Sequence, residues 1–212
     1  MTTSIIIPVF NSEKYISRSI RSALSNKKYS DVEIVVINDC STDHTLDSIL
    51  PFMDKIIYLE NDSNMGLPYT LNKGIISSTG KYIVRLDSDD WMHERLVDIL
   101  SFSLDINNNF DAIATDYFLV DSCQNKLSHV SAFDHPIGCS IMFRREHLID
   151  IGLYDPDMLW HEERELMYRF KKRYNVFNLP LPLYRYFKHG DNMTCDIPNM
   201  RTYEQILNEK TT

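Results

Sequence analysis

Glycine is scarce in this chain, six in 212 residues, at positions 66, 74, 80, 138, 152 and 190. That spacing cannot form Gly-x-Gly-x-x-Gly or a P-loop, which sets aside a dinucleotide-binding oxidoreductase and a P-loop NTPase. Cysteine is equally sparse: Cys40, Cys123, Cys139 and Cys195 show no Cys-x-x-Cys spacing. Buried or free thiols are therefore expected, and not a disulfide framework or a zinc site. Long apolar runs are missing too. The first, "SIIIPVF", is far too short to span a bilayer and lacks the basic-then-apolar order of a signal peptide. A cytoplasmic protein with no membrane span is the expectation, and the sequons at Asn61 and Asn192 then read as chance. Nor is there a dense run of lysine or arginine, and 22 basic against 30 acidic residues leave a net charge of -8. Nucleic acid is thereby excluded as a partner. The same acidity means that an anionic diphosphate can be held only if a cation or a few local basic groups cancel the repulsion.

What is present is enough apolar sequence, 43%, for one sizeable core in a single domain. Through the first half, short β-branched runs alternate with helical patterns: "TSIIIPVF", residues 12–26, "VEIVVIN", residues 43–52, "KIIYLEN", residues 67–77 and "KYIVRLD". The alternation predicts a mostly parallel sheet covered by helices, with Asn11 or Ser12 and then Ser41 or Thr42 as helix caps. After Asp90 the pattern turns mixed α+β. It predicts a helix over 93–104, a strand "DAIATDYFLV", a hairpin through "DSCQNK" and a strand "GCSIMFR". Helices over 145–151 and 162–173 follow, then two late strands, "NVFNL" and "LYRYFK". No linker rich in Pro, Gly or Ser separates the halves, so a boundary near residue 90 divides function and not domains. The tail after Cys195 reads as a short amphipathic helix or as disordered.

In an open parallel sheet, ligands bind beyond the carboxyl ends of the strands. The informative residues fall there: Pro8-Val9-Phe10-Asn11, then Asn38-Asp39, then Asp87-Ser88-Asp89-Asp90. One acid at a strand end is an ordinary cap, whereas three clustered acids repel one another unless a cation sits among them. Asp87 to Asp90 is therefore a candidate divalent-metal site.

The segments "SIIIPVFNSEKYISRSIRSAL", "EIVVINDCSTDHT", "NMGLPYTLNKGI", "GKYIVRLDSDD", "FRREHLIDIGLYD" and "EERELMYRF" resemble, in order, the successive motifs of family 2 glycosyltransferases, over most of residues 3–190. The resemblance implies an α/β single domain of the GT-A type, with a nucleotide-binding half (1–90), an acceptor half (91–195) and a tail (196–212). It implies an inverting enzyme that moves a sugar from a nucleoside diphosphate sugar, best matched by uridine diphosphate, to a saccharide or lipid-linked acceptor in surface polysaccharide or glycan biosynthesis.

Residue by residue, it implies that Pro8, Val9, Phe10 and Asn11 line the base pocket and that Asp39 accepts a hydrogen bond from the nucleobase imide, with a helix cap as the alternative. Asn72 and Gly74 match the family's Asn-x-Gly helix, but Leu71 stands where an arginine is frequent, which puts a diphosphate contact in doubt. Asp87-Ser88-Asp89 resembles the DxD motif. Asp89 would ligate Mn²⁺ or Mg²⁺, and Asp87 would lie near the ribose or a metal-bound water. Asp90 would orient the donor sugar or cap the next helix. Glu162-Glu163 stands where the family has Glu-Asp, so Glu163, with Glu162 as its rival, would be the general base; the alternative is an acidic first turn that complements a helix dipole. The segment "LYRYFKHGDNMT" resembles the family's Tyr-Arg-x-His stretch, lengthened by two residues, and would bring His189 to the metal or diphosphate, with a plain surface loop as the alternative. Arg185 and Lys188 are nearby cations, and Trp91 and Trp160 are either sugar platforms or core.

Two other readings compete. An aspartyl-nucleophile phosphatase also opens on Asp-x-Asp after an apolar strand, but Trp91 and the motif's distance from the N-terminus count against it. A catalytically silent sugar-nucleotide-binding module is supported by the altered Glu162-Glu163 pair and the lengthened loop before His189.

Overall fold

The computed structural model describes residues 2–190, 192 and 196–211. Cys195 and part of the second sequon lie outside the described residues. Strand β1 (Thr3–Val9) is buried at every position, as a central parallel strand must be. It pairs in parallel with β2 (Val32–Asn38) on one side and β4 (Tyr82–Arg85) on the other, and β2 pairs in parallel with β3 (Ile57–Glu60). Helices α1 (Ile16–Ser25), α2 (Thr45–Ile49) and α3 (Leu67–Ser77) fill the crossovers. The strand order β3-β2-β1-β4 reverses direction between β1 and β4, the place where such sheets leave a crevice at the carboxyl ends.

The second half extends the same sheet. Beyond β4 come β8 (Ile141–Arg144), β6 (Ala112–Val120), β9 (Val176–Phe187) and the two-residue β5 (Trp91–Met92), while β7 (Lys126–Val130) forms a hairpin with β6. Helices α4 (Leu96–Ile106), α5 (Arg145–Asp150), α6 (Glu162–Lys171) and α7 (Ile197–Thr211) complete the chain. The sheet separates two apolar layers. Ile5, Ile7 and Val9 face α1 and α4, while Ile6, Val35 and Ile37 face α3, α5 and α6. The period of two along β1 decides which side chain enters which layer.

Several expectations are corrected. Asn11 and Ser12 do not cap α1: the helix begins at Ile16, and the Ser12 carbonyl closes a turn with the amides of Tyr15 and Ile16. Asn11 instead adopts a left-handed conformation (φ 47°) and accepts the Thr42 amide on its side-chain oxygen, tying the loop after β1 to the loop after β2. Ser41 and Thr42 do not cap α2 either; Asp43 takes the Thr45 amide. The two late strands are one, β9, whose register against β6 shifts around Asp116 as Pro180 and Pro182 pass. Proline has no N–H to give the ladder, so the chain bulges and pairing resumes beyond it. The tail is a helix, α7. Among the described residues no helix is long and apolar enough to cross a membrane.

Candidate active site

The loops after β1, β2 and β4 and the start of α6 surround a cavity of about 820 Å³. Pro8, Val9, Phe10, Asn11, Asp39, Asp87, Ser88, Asp89, Glu162, Glu163 and His189 all line it. Sequence positions far apart thus meet in one cleft, and its volume lies within the range of small-molecule sites.

Asp39 is buried, and its carboxylate already accepts three hydrogen bonds: from Asn61 Nδ2 (2.7 Å), the Met65 amide (2.8 Å) and the Gly66 amide (2.9 Å). It caps no adjacent helix. It anchors the loop that leads into α3, while still forming part of the cleft wall. Asn72 does not reach the cleft. Its amide clamps the main chain of Tyr154 in both directions, donating to the carbonyl (2.8 Å) and accepting from the amide (2.9 Å). Leu71 is buried in the core. A Cβ on Gly74 would lie 2.6 Å from Ile37, so this glycine permits the close approach of α3 to the sheet. The Asn-x-Gly segment is therefore a packing element here, outside the cavity wall.

The turn after β4 divides its acids sharply. Arg85, in the last position of β4, donates to both Asp87 oxygens (2.5 and 3.1 Å) and, through Nη1, to Glu162 Oε1 (2.8 Å). A charged side chain on a buried strand was the signal for this residue, because such a charge needs partners, but nothing in the sequence named them. Asp89 points toward the late chain: its Oδ2 lies 2.7 Å from His189 Nε2 and 3.4 Å from Asn192 Nδ2. Burial, with the nearby charge of Asp87, raises the Asp89 carboxyl above its ordinary value, and His189 opposes the rise. Asp90 turns away from the cleft, is not part of its wall and does not cap α4. It is buried, accepts from Tyr184 Oη (2.9 Å) and the Phe187 amide (2.7 Å), and is pushed well up by burial and by its acidic neighbours. Strand β9 reaches across to that carboxylate, and the bonds hold the turn from below.

Asp87, Asp90 and Cys139 gather possible ligand atoms within 4.8 Å of one another. This trio does not fit a metal as arranged: Arg85 covers both Asp87 oxygens, Tyr184 and Phe187 take the Asp90 oxygens, and burial pushes the Cys139 thiol up. Asp89 and His189 do fit, since they line the cleft beside the charge of Asp87 and the bond between Asp89 Oδ2 and His189 Nε2 can open to offer both donors to a cation.

On the opposite wall, His161 takes a left-handed conformation (φ 61°) and starts α6, so that the helix's first turn faces the cavity. Glu162 is buried, and burial, with the charge of Glu163, pushes it up to about 7 against the pull of Arg85. Glu163 is half-buried and, among the described residues, forms no hydrogen bond or ion pair. It packs on Gly138, where a Cβ would come within 3.0 Å of its own Cβ and 3.2 Å of Arg85 Nη1. Helix α7 closes this side: His161 Nε2 meets the Met200 carbonyl at 3.1 Å, and the Trp160 and Tyr203 rings lie 5.2 Å apart. Trp160 lines the cavity, whereas Trp91 is buried beneath Arg18, whose guanidinium sits 4.0 Å from its ring. Arg185 lies over the Trp91 ring and, like Lys188, is not part of the cavity wall.

A mixed sheet whose parallel first half leaves a crevice at its switch point, walled by acids from both halves, defines an open α/β architecture. The sequence profile described as "Glycosyl transferase family 2" matches residues 4–181, and the chain belongs to that family. It is 29% identical to an uncharacterized glycosyltransferase of Haemophilus influenzae over 92% of this chain and 68% of that protein. It is 30% identical to one of Rickettsia prowazekii over 97% of this chain and 67% of that protein. Among solved structures, residues 1–349 of S. aureus TarS in complex with UDP-GlcNAc superpose with a TM-score of 0.81 at 20% identity, covering 98% of this chain and 65% of that fragment. The mannosyltransferase PcManGT of Pyrobaculum calidifontis, in complex with GDP-Man and Mn²⁺, superposes with a TM-score of 0.77 at 14% identity, covering 98% and 63%. The fold is thus of the GT-A type, and the chain spans about two thirds of the length of these relatives.

Proposed function

We propose that the chain is a glycosyltransferase that moves a sugar from a nucleoside diphosphate sugar, with uridine diphosphate as the nucleotide, to a hydroxyl of a saccharide or lipid-linked acceptor, with inversion. The observation that carries this reading is the single cleft in which Asp87 to Asp89 from one half face Glu163 from the other, with Arg85 bonded to Asp87 and Glu162 between them. Complexes of TarS with UDP-GlcNAc and of PcManGT with GDP-Man support a donor of this class.

In this reading, Pro8 to Asn11 and Asp39 form the base and ribose side of the cleft, and Asp87 and Ser88 border the diphosphate. Asp89, with His189, would hold Mn²⁺ or Mg²⁺, whose chemistry is to neutralise the charge that builds on a leaving diphosphate. Glu163 takes the proton of the attacking hydroxyl. A general base needs an open lone pair facing the acceptor, and among the described residues Glu163 has both oxygens unpaired while Glu162 spends Oε1 on Arg85. Glu162 is then the anchor of Arg85, and the extra methylene of Glu163 relative to aspartate is accommodated by Gly138.

Two measurements test the proposal. In calorimetry, uridine diphosphate should bind more tightly with Mn²⁺ than with excess chelator, and Asp89→Ala should remove the difference. Equal affinity in both conditions overturns the metal's place in it. Glu163→Gln should bind donor normally and lose about 10² to 10⁴ in turnover of UDP-sugars or GDP-mannose. No turnover by the unaltered protein with any of these donors, despite tight binding, would leave a binding module in place of an enzyme.

A further inference from the structure

A second, smaller cavity of about 260 Å³ adjoins the first and is lined by Pro136, Ile137, Ile141, Glu163, Arg164, Met167, Tyr168 and Lys171. The two cavities share only Ile137 and Glu163, so the carboxylate assigned above as the base stands at their seam. While the donor fills the larger cavity, a hydroxyl in the smaller one could reach a base at the seam.

Its chemistry is unlike that of the rest of the chain. The floor is apolar and aromatic, from Pro136, Ile137, Ile141, Met167 and Tyr168, and one face of α6 supplies the wall. On that face the inner end carries the negative Glu163 and the outer end carries Lys171, with Arg164 beside the seam. The overall net charge is -8, whereas this lining offers two cations, one of them already paired with Glu204, beside one acid. Lys171 is exposed and has no ion pair or hydrogen bond among the described residues. Among the described residues Arg164 is held only by Glu204 of α7 at 3.2 Å, with both side chains about half exposed. A pair so exposed is weak and exchanges readily for another anion.

We propose that this cavity seats an acceptor bearing an oxyanion, phosphate or carboxylate, which Lys171 and Arg164 hold while a neutral hydroxyl of the same molecule is presented to Glu163. Glu163 repels an anion close to it, which places the charged group toward Lys171. Eight residues of helix separate the two, about 12 Å along the axis, the reach of a short saccharide or polyol segment. The assignment rests on Glu163 as the base, but the anion site has its own readout.

The protein is titrated, with uridine diphosphate and Mn²⁺ saturating so that the donor site is filled, against two anionic probes, glycerol 3-phosphate and glucuronate. Glycerol and glucose are the neutral counterparts, and binding is read by saturation-transfer NMR. At least one anion should bind 10-fold or more tightly than its neutral counterpart, and Lys171→Glu should weaken it by a similar factor. Preference for the phosphate points to a phosphodiester acceptor, and preference for glucuronate to an acidic saccharide. Uridine diphosphate affinity, measured by calorimetry on the same proteins before the probes are added, separates a failure of the donor reading or of the fold from a failure of this site. Equal binding of neutral and anionic probes, no binding of any probe, or anion binding unaffected by Lys171→Glu overturns the proposal.

Discussion

Replacement of Glu162 by glutamine isolates the electrostatic cost of the bridge between the two halves of the cleft. In the folded protein this carboxyl is pushed from the ordinary 4.5 to about 7, chiefly by burial and then by the charge of Glu163. A folded-state value above the unfolded one means that the native state binds the extra proton between these limits, so stability is fully present below about pH 4.5 and is lost as pH rises through 7. The difference amounts to about 3 kcal/mol at 1.36 kcal/mol for each pH unit. Glutamine has the same shape, stays neutral throughout, and can still accept from Arg85 Nη1, leaving Arg85 and Asp87 as a neutral pair. The two proteins should therefore have equal unfolding free energies at pH 4, and Glu162→Gln should be the more stable by about 3 kcal/mol at pH 8. Urea denaturation followed by circular dichroism at pH 4, 5, 6, 7 and 8 gives both curves, and their difference cancels the titrating groups that do not sense the charge of Glu162, leaving Glu162 together with its neighbour Glu163. Curves that run parallel across this range would refute the reasoning, since they would mean that Arg85 fully offsets the burial of the charge.

Three further substitutions probe the frame around the cleft. Gly138→Ala places a Cβ 3.0 Å from that of Glu163 and 3.2 Å from Arg85 Nη1. Turnover should fall by about 10-fold or more while calorimetric affinity for uridine diphosphate is kept, because displacement of the base is felt in the transition state. Asp39→Ala strands three donors, Asn61 Nδ2 and the amides of Met65 and Gly66. It should cost about 1 to 3 kcal/mol in urea denaturation besides weakening uridine diphosphate. Tyr184→Phe removes the hydroxyl that donates to Asp90 and accepts the Asp87 amide (3.2 Å). Thermal unfolding should show a loss of about 1 to 3 kcal/mol, and an unchanged midpoint would mean that the turn holds without it.

The alternating elements of the first half were legible because apolar periodicity is a local property; α3 occupies the residues, Leu67–Ser77, that its pattern predicts. The order of the six motif segments carries the family, and the strand-end rule places the cleft from the sequence. Helix starts were misread at Asn11 and Ser41 because these side chains are used between loops, the Ser41 hydroxyl accepting the Asn11 amide. The join of two strands into β9 was hidden by Pro180 and Pro182, which signal a break unless a neighbouring strand allows a bulge. By itself the sequence determined which residues could form a parallel sheet and which chemistry stood at its strand ends, since those depend on spacing of two or about four residues. The tertiary structure alone decided that Arg85 meets Glu162 across 77 positions, that Asp89 meets His189 across 100, and that Asp90, next in line, turns into the core. Those choices depend on which strands become neighbours, and a buried charge takes its partner from whatever packing brings within about 3 Å.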